Sequence, residues 1–207
     1  MGVVEVGLGL VLLLLAVGCV VLLPFSLRPG IVTGPPWLGA VVVAGLLVPL
    51  VGGGLLALAA PAAGGAGRVL AVGALLVAAA AGGSPMATGV LRLADPAAAR
   101  AAEGVDLHRG TSPLDPAAVR TRPVAATLSA PGLLRGGSTL GVLERLATFG
   151  TLAIGSPEGI AVVLAVKGLG RFGELKIPAA PERFMIGTFA SVLWACACWA
   201  VALAVVT

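Results

Sequence analysis

"LATFGTLAIGSPEGIAVVLAVKGLGRFGELK", residues 146–176, decides how often the chain crosses a bilayer. Its apolar residues suffice for one span, yet Gly155-Ser156-Pro157-Glu158 interrupts them midway. Gly155 suits the position just past a helix C-terminus, and Ser156 suits an N-cap. Pro157 fits a first helical position, and Glu158 the positive end of a helix dipole. The pattern predicts one helix over 140–154, a stop, and a second over 157–169. At 1.5 Å per residue these measure roughly 22 and 20 Å, each short of a ~30 Å hydrocarbon core. The expectation is a re-entrant or tilted hairpin that returns to the side it left. The alternative is one proline-kinked span with charged ends, because Arg145 and Lys167 lie 22 residues apart, ~33 Å as a single helix.

Charge outside the stretch favours the hairpin. The chain has 13 Lys and Arg. Arg28 follows the first apolar run, Arg68 follows the second, and seven arginines lie between Arg92 and Arg145. Lys167, Arg171, Lys176 and Arg183 complete the set. A crossing at 146–166 puts the two most basic segments on opposite sides, 8 against 5 at best, whereas a hairpin puts 12 on one side and 1 on the other. Cytoplasmic loops carry the excess of Lys and Arg, so the hairpin arrangement is expected, with the N-terminus outside.

Composition sets the class. Hydrophobic residues make up 58% and charged residues 11%, and mean hydropathy is +1.10, far from the ~25% charge of soluble domains. Four spans are predicted, over 3–23, 37–60, 69–93 and 184–206, the third interrupted at Gly82–Met86. The fold expected is an all-α polytopic membrane bundle of four transmembrane helices plus the C-terminal hairpin; the kinked-span alternative makes five transmembrane helices. The organisation follows: an N-terminal membrane region over 1–93, an Ala/Pro/Arg-rich cytosolic linker over 94–137, and a C-terminal membrane region over 138–207. No basic segment precedes the first apolar run, so that run is read as a retained helix rather than a cleaved leader.

Within the linker, Asp95-Pro96 and Asp115-Pro116 each suit the start of a short helix. His108 has only Asp106 nearby as a partner and is read as a solvated loop histidine. Cys19, Cys196 and Cys198 lie in apolar runs. The last two sit about 200° apart on a helix and cannot share a metal or a disulfide, so buried, inert thiols are expected. Gly168-Leu169-Gly170-Arg171-Phe172-Gly173 matches a dinucleotide fingerprint in letters only, since that fingerprint needs a preceding strand. It reads instead as a helix end and a basic turn, where Lys167, Arg171 and Lys176 meet anionic lipid head groups. No cluster of catalytic or metal-ligating type is present, and neither an enzyme nor a cofactor is expected.

The acids of the last third are Glu144, Glu158, Glu174 and Glu182. Most are expected in interfacial ion pairs with Arg145, Lys167, Arg171 and Arg183. Glu158 is the sharper candidate, since a carboxylate at hydrocarbon depth suggests a proton or cation site. Gly187, Ser191 and Ala195 form a ridge of small residues that lets helices approach closely in lipid. Gly83-Ser84-Pro85 echoes Gly155-Ser156-Pro157, and paired broken segments of this kind can mark a transporter's repeat interface.

"LLRGGSTLGVLERL", "AVKGLGRFGELK" and "ERFMIGTFAS" occur in that order over 133–195. This combination resembles a family of uncharacterised bacterial integral membrane proteins, frequent in high-GC Gram-positive bacteria. The resemblance implies a multi-pass protein of the bacterial cytoplasmic membrane with a functional C-terminal third. It brings no activity and no site residues. The function expected is a non-enzymatic helix-packing module, binding a second copy or a membrane protein partner and no nucleic acid. The alternative is a small ion or solute transporter that uses an intramembrane carboxylate.

Overall fold

The computed structural model describes residues 3–26, 37–59, 65–94, 137–170 and 180–207. Among these residues the chain is all-helical: α1 (Val3–Ser26), α2 (Trp37–Ala59), α3 (Gly65–Ala94), α4 (Gly137–Ala153), α5 (Gly159–Gly170) and α6 (Ala180–Val206). Four of them, α1, α2, α3 and α6, are long and apolar enough to cross a membrane, while α5 is apolar but too short. Their outward faces are lined with Leu and Val, such as Leu13, Val48, Leu58 and Leu70, as lipid contact requires. Most of the linker 94–137 with its His108, and residues Arg171, Glu174 and Lys176, lie outside the described residues.

Helix α3 is the hub of the bundle and packs against α1, α2, α4 and α6. Leu8, Leu12, Leu15 and Cys19 form the inward stripe of α1, at helical spacing. Small residues set how closely the helices cross. A side-chain carbon at Gly39 of α2 would stand 2.8 Å from the Gly89 carbonyl of α3, and one at Gly53 2.9 Å from Leu12 of α1. The ridge on α6 is used inside the chain: Ser191 and Ala195 are buried, and Gly187 packs on Leu91 of α3. Cys19 and Cys198 are buried free thiols, whereas Cys196 is only half-buried.

The interruption at 155–158 is a true reversal. Gly155 takes φ +75°, the left-handed conformation that costs glycine nothing. Its N–H donates to Leu152 O (3.1 Å) and the Ser156 N–H to Thr151 O (2.8 Å), the paired closure of a Schellman motif. Gly159, Ile160 and Ala161 N–H then donate to Ser156, Pro157 and Glu158 carbonyls at 3.0–3.1 Å and open α5. The chain thus satisfies much of the turn's backbone itself. Helix α5 runs back along α4. Gly159 lies against Thr151, where an added carbon would come within 2.5 Å, and farther from the turn Lys167 pairs with Glu144. The single kinked span is therefore not the structure. Two details differ from the sequence expectation. The Ser156 hydroxyl bonds the Glu158 carboxylate (2.8 Å) instead of a backbone N–H, and α5 begins at Gly159 after a tight 157–158 turn.

The first span runs past its expected end at 23, and the expected interruption of the third is absent. Helix α1 runs through Pro24 to Ser26, and α3 runs unbroken through Gly82–Met86. Pro85 lacks the N–H that would meet the Ala81 carbonyl, a loss that membrane helices tolerate within a packed bundle. Thr88 Oγ1 bonds the Ser84 and Pro85 carbonyls at 3.1 and 3.0 Å. With α3 continuous, no pair of broken segments exists to mark a repeat interface.

The hairpin makes a direct expectation for topology. In a cysteine-free background, Ser138→Cys and Gly170→Cys should both react with an impermeant maleimide from the same side of sealed vesicles. Labelling from opposite sides would mean that 137–170 crosses the membrane.

A buried charge cluster at the hairpin seam

Helices α4 and α6 run in the same direction past α3. Arg145 of α4 is level with Ser84 and Ser191, while Phe149 meets Trp199 farther along α6 in an edge-to-face pair (5.2 Å). At this level α4 turns Glu144, Arg145 and Thr148 inward, all buried. Arg145 is only 3% exposed. Its Nε donates to Ala80 O (2.9 Å), and its two terminal nitrogens donate to Ser191 Oγ (3.2 Å) and Ser84 Oγ (3.3 Å). Three helices thus hold one guanidinium. The planar fork of arginine suits this task better than a lysine ammonium would.

Room for the guanidinium comes from a missing side chain. A carbon added at Gly83 would overlap Arg145 Cδ. The neighbouring Gly82 makes space for a different pair, since an added carbon there would lie 2.8 Å from both Cys19 Sγ and the Trp194 ring. Trp194 is buried, and its indole N–H donates to Ala78 O (2.9 Å). The glycine doublet therefore receives α4 at Gly83, and α1 with α6 at Gly82. Neighbouring positions on a helix point about 100° apart, so adjacent glycines can serve different partners.

The second charged contact ties the hairpin to itself. Lys167 of α5 forms an ion pair with Glu144, with side chains 15% and 8% exposed, and also lies over the Phe184 ring of α6 (5.9 Å). Glu144, Arg145 and Lys167 make a buried group with one negative and two positive charges. Thr148 Oγ1 donates to the Glu144 backbone carbonyl (2.8 Å). Thr188 is buried on the Ser191 face of α6, and its hydroxyl has no partner among the described residues.

The sequence candidates separate accordingly. Glu144, Arg145, Lys167 and Ser191 come together, with Ala195 buried farther along the same α6 face. Glu158 does not join them. It is exposed on the turn, where its carboxylate accepts from Ser156 Oγ and from its own N–H. Glu182 and Arg183 are exposed at the start of α6, and no ion pair of Glu182 occurs among the described residues. Sequence reasoning missed Thr188, and singled out Gly83 and Ser84 only as part of a broken segment, not as neighbours of Arg145. For Ser84 and Gly83 the available signal was their place in a long apolar helix, where a hydroxyl beside a glycine leaves space for a polar side chain from another helix.

The described residues hold no group of three or more His, Cys, Asp or Glu able to bind a metal. Comparison of the chain with known protein families, curated proteins and solved structures finds no match in any of the three. Three segments of the C-terminal third meet at this cluster: Glu144-Arg145 from 133–146, Lys167 from 165–176 and Ser191 from 182–191.

Gly83→Ala should destabilise the fold by about 1–3 kcal/mol through overpacking against Arg145. Gly73→Ala, in the same helix and in open space, should be neutral or stabilising by up to ~1 kcal/mol. Unfolding of both variants in mixed detergent micelles measures the difference, and equal effects would mean that Arg145 does not sit against Gly83.

Proposed function

We propose that the chain is a non-enzymatic helix-packing module of the membrane, in which the C-terminal hairpin is the presenting element. The observation that carries this reading is the one-sided attachment of α5. Helix α5 packs on α4, and none of its residues is buried. Val162, Val166 and Leu169 all point outward. Arg145 fixes α4 in the bundle and the Glu144–Lys167 pair fixes α5 to α4, so a short apolar helix is held rigidly at the perimeter. A helix of 12 residues measures ~18 Å and cannot span the bilayer. Held there, its free face suits a transmembrane helix of a partner, a second copy of the chain included. The resemblance to a bacterial membrane protein family over 133–195 supports a role centred on this third of the chain. The orientation that fits the charge count has the N-terminus outside, the linker 94–137 in the cytosol and the protein in the bacterial cytoplasmic membrane.

A second reading rests on the Glu144–Lys167 pair, whose carboxylate is buried and whose ammonium is half-buried. Ionisable groups inside a membrane protein mark ion or proton pathways by default. In that reading Glu144, rather than Glu158, is the carboxylate of a small ion or solute transporter.

A photoreactive residue at position 162, irradiated in native membranes, should give a discrete cross-link to another membrane polypeptide. Recovery of monomer carrying only lipid adducts would remove the packing-module reading. Ion or proton flux into proteoliposomes of the wild-type chain, abolished in Glu144→Gln with the fold intact, would establish the transporter instead.

A further inference from the structure

On the opposite side of α6 from the hairpin seam, α2, α3 and α6 enclose a groove of about 710 Å³. Its walls include Leu47 of α2, Met86 of α3, and Met185, Phe189 and Leu193 of α6. Among the described residues the one charged residue lining the groove is Glu182, at the end where α6 begins. We propose that the groove is a binding site for a phospholipid with an ammonium head group, such as phosphatidylethanolamine. One acyl chain would lie along α6, with the ammonium at Glu182.

Three observations select this occupant. From Glu182 to Ala197 the groove follows α6 for 15 residues, ~22 Å, which reaches from the head-group level past the middle of a ~30 Å core. An extended acyl chain anchored at the head-group level therefore lies along most of it. The walls suit a flexible chain better than a helix. The small-residue ridge of α6 faces α3 and α4, and Met185, Phe189 and Leu193 hold a neighbouring helix away. Both methionines after Met1 line the groove, and their thioethers adapt to irregular apolar partners. Glu182 supplies charge complementarity. It is exposed, makes no ion pair among the described residues, and supplies a counter-charge for an ammonium head at the mouth of the groove.

The test reconstitutes the full chain in vesicles of equal phosphatidylethanolamine and phosphatidylglycerol, with spin-labelled analogues of each. The motionally restricted fraction should favour the ammonium lipid by roughly fivefold, the factor one head-group-level charge contributes. Glu182→Gln should erase the preference and Glu182→Lys should reverse it. Both substitutions are at an exposed position and leave the fold intact, which circular dichroism checks. Leu47→Trp, narrowing the groove from the α2 side, should reduce the restricted fraction of both lipids. Equal restriction of the two lipids by the wild-type chain, a preference that survives Glu182→Gln, or a groove filled by a second copy in cross-linking would each overturn the proposal.

Discussion

One buried guanidinium determines how the C-terminal third can sit. An arginine in the centre of an apolar bundle costs about 2.5–3.5 kcal/mol or more unless its donors are met. Arg145 is placed where three oxygens from two other helices converge on it, with Glu144 as its neighbour in sequence. Removing any one helix would strand part of that fork. Shifting α4 by a turn in either direction would do the same, since the oxygens at Ala80, Ser84 and Ser191 are fixed by α3 and α6. The polar contacts thus fix register, which non-directional apolar packing specifies poorly. The glycine at 83 is the geometric condition for this arrangement, and Glu144–Lys167 extends it to α5.

The same tripeptide, Gly-Ser-Pro, has opposite fates at 83–85 and 155–157, and the contrast explains how far the sequence could be read. At 155 nothing crowds the backbone, the glycine adopts a positive φ, and the chain reverses. At 83 the segment is enclosed by α4, α6 and α1, so its apolar neighbours keep it helical and its polar groups serve Arg145 and Thr88. Local propensity is alike at the two sites, and tertiary burial decides between them. Hairpin, spans and fold class were legible because hydropathy, helix-end chemistry and loop charge all act locally or additively. The cluster was only half legible. Glu144, Arg145 and Lys167 stand out as charges in an apolar region, but their oxygen partners are serines and one backbone carbonyl with no distinctive sequence setting.

The prominence of Glu158 in the sequence has a similar origin. A lone acid in the middle of an apolar run invites an intramembrane role, yet the helix-start geometry that makes it visible also places it on the outside of a turn. There Ser156 and its own N–H satisfy it. Glu144, beside an arginine and one turn before Thr148, reads as an interfacial residue, and it is the buried carboxylate. Position relative to the turn matters more than position in the apolar run, because a hairpin brings its legs, and not its tip, against the bundle.

Helix α6 links the two sides of the molecule through a division of residue sizes. Its small residues Ser191 and Ala195 lie toward α3 and the hairpin, while Met185, Phe189 and Leu193 point the other way toward α2 and the groove. Ala190 and Trp194 sit at the border, and Trp194 also reaches Gly82 and the Ala78 carbonyl. A rotation of α6 about its axis that improved one side would therefore disturb the other. Withdrawing Ser191 from Arg145 would move Trp194 against α3 and change the groove floor in the same step. The hairpin seam and the groove share α6 as a common wall, with Trp194 and the glycine doublet it packs on lying between them.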